Sequence, residues 1–297
     1  MSVPHPALSW RPLGEADLDA LTDLASASLA ADGGQPFAAR RDYLSQRYLG
    51  EAESQAGIDG TRLVCAVSLR RDPAGRPEDP AITTGLVHPD WRRRGLGGRA
   101  FDWAAGRAGK NGIRAETEGL SDGAHALYLS RGLSQVFAED VMKLGASQPV
   151  PSSHPPAGVV LSSWAEAGPA RFYAVYDAAF RERPGFPGWP QDRWVEWISD
   201  DEDFRADWSL LATLDGADAA FIAAAANGCI AQLGVVPGAR GQDLGAHLIA
   251  EVIHRMRAAG ETVITLDVNI NNLRAIALYR RLGFAAAGRR ARYQAAG

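Results

Sequence analysis

Two stretches of this 297-residue chain place arginine and glycine where they can hold an anion. The first is VHPDWRRRGLGGRA, Val87 to Ala100, and the second is VVPGARGQDLGAHL, Val235 to Leu248. Each follows an apolar run and leads into a helical pattern. A strand end, an arginine, a glycine turn and a helix start together present free backbone N–H groups and a positive dipole end beside a cleft. Glycine lets the backbone close on a ligand, and Arg92, Arg93 and Arg94 add fixed positive charge. The arrangement suits a pyrophosphate. A solvated basic helix start accounts equally well for one such loop met alone.

The two loops belong to a longer repeat. Pro89 and Pro237, Arg92 and Arg240, and Gly97 and Gly245 each stand 148 positions apart. Further on, Tyr128 and Tyr279, and Gly132 and Gly283, stand 151 apart. Self-similarity at half the chain length indicates duplication of a whole domain, because solenoid repeats have periods of about 20 to 50 residues. Between the copies, ASQPVPSSHPPA carries four prolines and no apolar periodicity, as a semi-rigid linker does. The expected organisation is a first domain over 1–146, a linker over 147–157 and a second domain over 158–297.

The elements that would carry the loops follow from periodicity. LSWRP reads as a strand before a helix over Glu15 to Ala31, and VVLSSW as a strand before a helix over Arg171 to Arg183. Further strands are expected at Arg62 to Leu69 and Ala81 to Val87, and at Trp208 to Leu214, Ala219 to Ala225 and Cys229 to Val236. Loop helices then span Gly98 to Ala108 and Ala246 to Ala259. After them come strands at Ile113 to Glu118 and Thr262 to Asn269, the helices containing ALYLSRGL and ALYRRLGF, and a terminal strand. The fold class is mixed α/β, with a mixed sheet flanked by helices in each half.

Gly95, Gly97 and Ala100 also satisfy the Gly-x-Gly-x-x-Ala dinucleotide pattern, with Glu116 and Glu118 about 20 residues on. In that fold the first glycine closes the turn directly after the strand, whereas seven residues lie between Val87 and Gly95. The second copy also puts Asp243 where the first glycine would stand.

Both halves resemble the GNAT superfamily of acetyl-CoA-dependent N-acetyltransferases. The family signature of Arg or Gln, two residues, Gly, one residue, then Gly or Ala is met by Arg92, Gly95 and Gly97. The second half keeps Arg240 and Gly245 but has Asp243. Its segment LDVNINNLRAIALYRRLGF matches the family's later motif at Asn272, Ala275, Leu278, Tyr279, Gly283 and Phe284. In the first half Ser121 stands at the Asn272 position. The duplication resembles tandem members of the mycothiol-synthase kind, which implies a catalytic C-terminal domain and an N-terminal one that is degenerate or only binds cofactor.

The resemblance implies acetyl-CoA as co-substrate, with Tyr279 donating a proton to the coenzyme sulfur and Asn272 contacting the cofactor. Leu233, Val235 and Val236 would run beside the pantetheine arm, and Arg240, Gly241, Gln242, Leu244, Gly245 and Ala246 would hold the pyrophosphate. The corresponding first-half set is Leu86, Val87, Arg92, Arg93, Arg94, Gly95, Gly97 and Gly98. A carboxylate at Asp243 would repel a diphosphate unless it points to solvent. For the general base, Asp267 is one candidate, the run Asp200, Asp201, Glu202 and Asp203 another, and a relayed water a third. Phe186, Trp189, Trp194, Trp197 and Trp208 fall in the acceptor-shaping region of the family, although core packing accounts for aromatics at such spacing too.

His247, Glu251 and His254 share a helix face, which reads as solvated; no metal is expected. The 31 basic and 35 acidic residues, net charge -4, give no general reason to bind nucleic acid or an anionic membrane. Of the basic residues 29 are arginine, a bias that genome composition alone can produce. Hydrophobic residues at 46% and charged residues at 22% fit a folded globular chain. Cys65 and Cys229 follow no metal or redox spacing, and MSVPHPALSW is not a signal peptide, so the expected location is cytoplasmic. The expected activity is acetyl transfer to a primary amine of a small molecule in a ternary complex. A non-catalytic acyl-CoA-binding or sensory protein is the alternative, and turnover separates the two. The spacing identifies neither the amine nor an oligomeric state.

Overall fold

The computed structural model describes residues 8–72, 75–149, 155–183 and 186–295. The chain forms two compact units, Met1–Val141 with Ala287–Gly297, and Met142–Ala286. These units divide the chain differently from the expected boundary at 146 and 158. Part of the expected linker, 150–154, lies outside the described residues.

The first unit holds β1 (Ser9–Arg11), α1 (Leu18–Asp32), α2 (Arg41–Tyr48), β2 (Glu53–Asp59), β3 (Arg62–Arg70) and β4 (Ala81–Val87). It continues with α3 (Leu96–Ala105), β5 (Ile113–Thr117), α4 (Asp122–Ser130) and β6 (Leu133–Leu144). Its strand order is β1-β2-β3-β4-β5-β12-β6, where β12 (Ala285–Ala295) is the last strand of the chain. β12 runs antiparallel to β5, with Ala291 opposite Thr117 and Tyr293 opposite Ala115. Leu21, Leu24, Leu44 and Tyr48 from α1 and α2 pack with Ala56, Leu63 and Ala66 of the sheet into one apolar core.

The second unit holds β7 (Val159–Ser163), α5 (Trp164–Ala167), α6 (Pro169–Phe180), α7 (Gln191–Ser199), β8 (Leu210–Leu214) and β9 (Ala217–Ala224). It ends with β10 (Cys229–Val235), α8 (Leu244–Ala258), β11 (Ile264–Asn269) and α9 (Leu273–Arg281), and its strands lie in the order β11-β10-β9-β8-β7. β8 turns into β9 through Asp215 and Gly216, both at positive φ, which is the backbone a two-residue hairpin needs. Alternation then sorts the side chains of β9. Ala220, Ile222 and Ala224 join α8 in one core, while Phe221 and Ala223 join α6 and α7 in another. A strand covered on both faces reads as the continuous apolar run seen here.

Met142 and Leu144, at the end of β6, are buried in the core of the second unit. Met142 and Tyr293 stand 151 positions apart, the offset of the repeat. Each unit is therefore finished by a strand, or a strand end, that the repeat assigns to the other half. No helix among the described residues is long and apolar enough to cross a membrane.

Candidate functional site

In each unit one parallel strand pair opens into a fork. β4 and β5 are paired only at Ala81–Ile113, Ile82–Arg114 and Thr83–Ala115, yet β4 continues to Val87. β10 and β11 are paired only at Cys229–Thr265 and Ile230–Leu266, yet β10 continues to Val235. On its other edge the longer strand stays paired, Leu86 to Ala66 and Val87 to Cys65 in one unit, Leu233 to Ile222 and Val235 to Ala220 in the other. The N–H of His88 bonds Val64 O and that of Val236 bonds Ala219 O, both at 2.9 Å. The inner edge beyond the fork thus carries backbone groups free of a strand partner, and a ligand amide arm can use them.

The loops after the two strands share one construction. Arg92 Nε donates to Val87 O and Arg240 Nε to Val235 O, each at 3.2 Å. The family arginine therefore ties the loop to the strand that precedes it. Its remaining donors are also engaged. Arg92 makes a two-pronged pair with Asp32 at 2.7 and 2.6 Å, and Arg240 donates to Ala179 O at 3.0 Å. Arg94 donates to Asp90 O and lies over the Trp91 ring. Arg93 alone of the three has no hydrogen-bond or ion-pair partner among the described residues, and it lines the cleft.

Two residues in each loop take the left-handed conformation at matching positions, Arg93 (φ 62°) and Gly95 (φ 78°) in one copy, Gly241 (φ 86°) and Asp243 (φ 54°) in the other. Each copy has one glycine and one side-chain-bearing residue, in opposite order. Asp243 thus reproduces the backbone that Gly95 supplies, which aspartate tolerates better than most residues. Its carboxylate meets Arg281 at 3.1 Å on an exposed face. Arg274, which spacing alone did not single out, reaches to 3.4 Å from where a Cβ on Gly241 would stand.

The helices α3 and α8 begin directly after these turns, so the N–H groups of their first turn lack intrahelical partners. A Cβ on Gly97 would stand 3.5 Å from Leu127 and 3.9 Å from Val87. One on Gly245 would stand 3.5 Å from Leu278 and 3.8 Å from Val235. These are ordinary contacts, so the protein's own packing does not require glycine there; the missing Cβ leaves room at the helix start. Gly98 and Ala246 follow in the same first turn, while Leu244 points into the core.

Ser121 Oγ accepts from Ala124 N at 3.2 Å, and Asn272 Oδ1 accepts from Ala275 N at 3.1 Å. The Ser/Asn exchange between copies keeps the N-cap of the helix that carries the tyrosine. Those tyrosines, Tyr128 and Tyr279, are 7% and 8% exposed, and burial pushes both phenols up to about 12. Neither hydroxyl has a hydrogen-bond partner among the described residues.

In the first unit the fork, the loop and the tyrosine open on one cavity of about 680 Å3. Its walls include Thr84 to Val87, Arg92, Arg93, Gly95 to Gly98 and Tyr128, together with Ser28, Tyr43 and Tyr48 from α1 and α2. Glu116, deeper on β5, is surrounded by Arg47, Arg70, Arg114 and Arg292 at 3.1–3.5 Å. Asp267 is its counterpart by the repeat, half-buried on β11 one residue beyond the last paired position.

The remaining sequence candidates lie elsewhere in the second unit. Asp201 and Asp203 fold a turn, with Asp203 N bonded to Asp201 Oδ1 and Asn227 bonded to Asp203; Asp200 and Glu202 are exposed. Trp194 is fully buried and stacked on Tyr176 at 4.8 Å, and Trp208 is buried too, so both are core. Phe186 and Trp189 pack on the same aromatic cluster, and Trp197 is exposed. His247 is buried, Glu251 bonds Arg255, and no group of three or more metal-ligating side chains occurs among the described residues.

A forked parallel strand pair that leads through a left-handed Arg/Gly turn to an open helix start defines the acetyltransferase fold expected above. The chain belongs to the acetyltransferase (GNAT) family, whose pattern matches residues 18–133 and 170–284. It is similar to the mycothiol acetyltransferase of Gordonia bronchialis, 28% identical over 291 residues, which span 92% of this chain and 90% of that one. The mycothiol acetyltransferase of Mycolicibacterium smegmatis is 30% identical over 220 residues, 70% of this chain and 72% of that one. Among solved structures, a GCN5-related N-acetyltransferase from Sphaerobacter thermophilus superposes with a TM-score of 0.77 at 22% identity, covering 99% of this chain and 96% of that one. A tandem GNAT protein from the clavulanic acid biosynthesis pathway superposes with 0.65 at 20%, covering 97% and 98%. The protein is an acetyltransferase with two GNAT domains, of a family that uses acetyl-CoA as co-substrate.

Proposed function

We propose that the chain moves an acetyl group from acetyl-CoA to the primary amine of a small molecule by direct transfer, with catalysis in the C-terminal half. The observation that carries this reading is Tyr279, a buried phenol kept protonated by its surroundings on the helix facing the β10 fork. The amine nitrogen attacks the thioester carbonyl, the C–N bond forms and the C–S bond breaks. Tyr279 gives its proton to the departing thiolate, and the proton lost by the amine goes to Asp267 or to a relayed water. Backbone groups of Leu233, Val235 and Val236 run beside the pantetheine arm, and the turn from Arg240 to Ala246 takes the pyrophosphate with Asn272 nearby. Arg240 then acts as the brace of that turn. The pairing of Asp243 with Arg281 supports an intact second loop, because it removes the repulsion that a carboxylate would otherwise bring.

The N-terminal loop, from Leu86 and Val87 through Arg92, Arg93, Arg94, Gly95, Gly97 and Gly98, is read as a second acetyl-CoA site. The relatives' name makes the acceptors of a mycothiol acetyltransferase the first to test. Mass-spectrometric detection of acetylated product from a panel of primary amines checks the reaction. A panel that yields product with the native chain and with Tyr279→Phe at equal rates would remove that residue from the mechanism.

A further inference from the structure

Glu116 stands at the centre of a charge cluster that the coenzyme site does not use. Arg47 and Arg70 meet its Oε2 at 3.2 and 3.1 Å, and Arg114 and Arg292 meet its Oε1 at 3.1 and 3.5 Å. Register brings them together. Arg70, Ile82 and Arg114 stand side by side on β3, β4 and β5, Arg292 stands opposite Glu116 on β12, and Arg47 comes from α2. One carboxylate does not match four guanidiniums, and among the described residues only Arg47 of the four also reaches a second one, Glu118 at 3.9 Å. Burial and the Arg47 charge lower the Arg70 pKa more than Glu116, Tyr43 and Asp72 raise it, as expected where positive charge is in excess. Arg114 and Arg292 lie within ion-pair reach of Glu116 yet make no hydrogen bond among the described residues. The side chains of Arg47, Arg114 and Arg292 keep 23%, 22% and 43% of their surface open, so their N–H groups can meet a ligand.

The sheet itself does not require these arginines. The second unit keeps the acidic position as Asp267, 151 places after Glu116, but the same offset relates Arg114 to Thr265 and Arg292 to Val141. Arg70, which faces Ile82 across β3 and β4, corresponds to Ala224, which faces Ile230 across β9 and β10. One copy of the fold is therefore built with no guanidinium at three of the four positions, and half-buried positive charge in excess is a cost that packing does not explain. We propose that this face of the first unit binds the carboxylate or phosphate group of a small anionic molecule, gripped by Arg47, Arg114 and Arg292, with Glu116 holding the guanidiniums in place and Arg70 behind them. Planar guanidiniums present paired N–H groups that fit the oxygens of either group. The four arginines do not line the cavity that holds the Arg/Gly loop, so the site stands apart from the coenzyme reading.

Calorimetric titration of the full chain with inorganic phosphate and with malonate, each against chloride at equal ionic strength, tests it. At least one of the two is expected to bind, and the tighter one identifies the group that the site takes. Arg292→Gln, at the most open of the four arginines, should weaken that binding about tenfold, the effect of losing one charge-assisted contact. Arg114→Thr combined with Arg292→Val copies the residues of the other half and should abolish it, and thermal melts show whether each variant is folded. Arg93→Gln, in the first Arg/Gly loop, should leave the same binding unchanged. Absence of binding by both anions, full affinity in folded Arg292→Gln, or binding that is lost in Arg93→Gln and kept in Arg292→Gln overturns the proposal. None of these results bears on acetyl-CoA, whose own titration decides the coenzyme reading separately.

Discussion

The rings of Tyr128 and Tyr293 lie 4.9 Å apart, although one stands on α4 and the other on the last strand of the chain. Tyr293 is fully buried, and its hydroxyl donates to Gln135 Oε1 at 3.0 Å while His125 Nδ1 lies 2.6 Å away. The tyrosine at the fork of the first unit is thus seated by a residue from the opposite end of the sequence.

Tyr293→Ala should destabilise the first unit by about 3–5 kcal/mol, as expected for emptying a buried aromatic site. Tyr293→Phe, which loses only the hydroxyl, should cost about 1 kcal/mol. Hydrogen exchange read peptide by peptide checks the location. Protection should fall in Ile113–Thr117 and persist in Ala217–Ala224.

Tyr279→Phe should lower turnover by roughly 10²-fold, the lower end of what general acid catalysis contributes, with little change in coenzyme affinity. Tyr128→Phe should affect amine acetylation far less. Steady-state rates beside acetyl-CoA titrations separate the two effects. The reverse order would move catalysis to the N-terminal half.

Both phenols are raised to about 12 in the folded chain, above the ordinary value near 10. Below pH 10 each is protonated whether the chain is folded or not. Between pH 10 and 12 the unfolded chain sheds its proton first, so folding stability should fall by roughly 1.4 kcal/mol per pH unit for each tyrosine. Urea unfolding from pH 9 to 12 measures the slope, and Tyr128→Phe or Tyr279→Phe should each flatten it.

Asp243→Gly should leave acetyl-CoA affinity nearly unchanged, because the carboxylate already faces Arg281 rather than the helix start. Arg93→Gly should stabilise the first unit by up to about 1 kcal/mol by relieving a left-handed side-chain-bearing residue. Thermal melts and calorimetry distinguish these results. A tenfold gain in affinity for Asp243→Gly would mean that the carboxylate reaches the pyrophosphate in solution.

Asp32→Asn should cost about 1–3 kcal/mol in the first unit, since it leaves the half-buried Arg92 guanidinium without its charge partner. Turnover at a C-terminal site should not change. Denaturant melts and rate measurements on the same preparation check both halves of the expectation.

Much of this architecture is written locally. The Asp215–Gly216 turn, the Arg/Gly loops and the constant offsets of the repeat depend on residues close in sequence, and each could be read without the fold. β2 escaped notice because ESQAGID has only two aliphatic side chains, and its strand character comes from pairing with β3. The partners of the loop residues escaped for another reason. Asp32 meets Arg92 across 60 residues and Arg281 meets Asp243 across 38, distances over which periodicity carries no information. The same holds for the finishing strands. β6 and β12 are equivalent by the repeat, so no local pattern says which one lies beside β5.

That equivalence has a consequence during synthesis. When β6 leaves the ribosome, β12 is still about 150 residues from being made, a wait of roughly 10–30 s at ordinary elongation rates. Throughout that interval the edge of β5 stands open, and the nearest strand of the right kind is β6 itself. Until β12 is made, Tyr128 lacks the Tyr293 ring that seats it in the finished fold. The half made first is thus completed only once Ala285–Ala295 has been made, after nearly all of the second half.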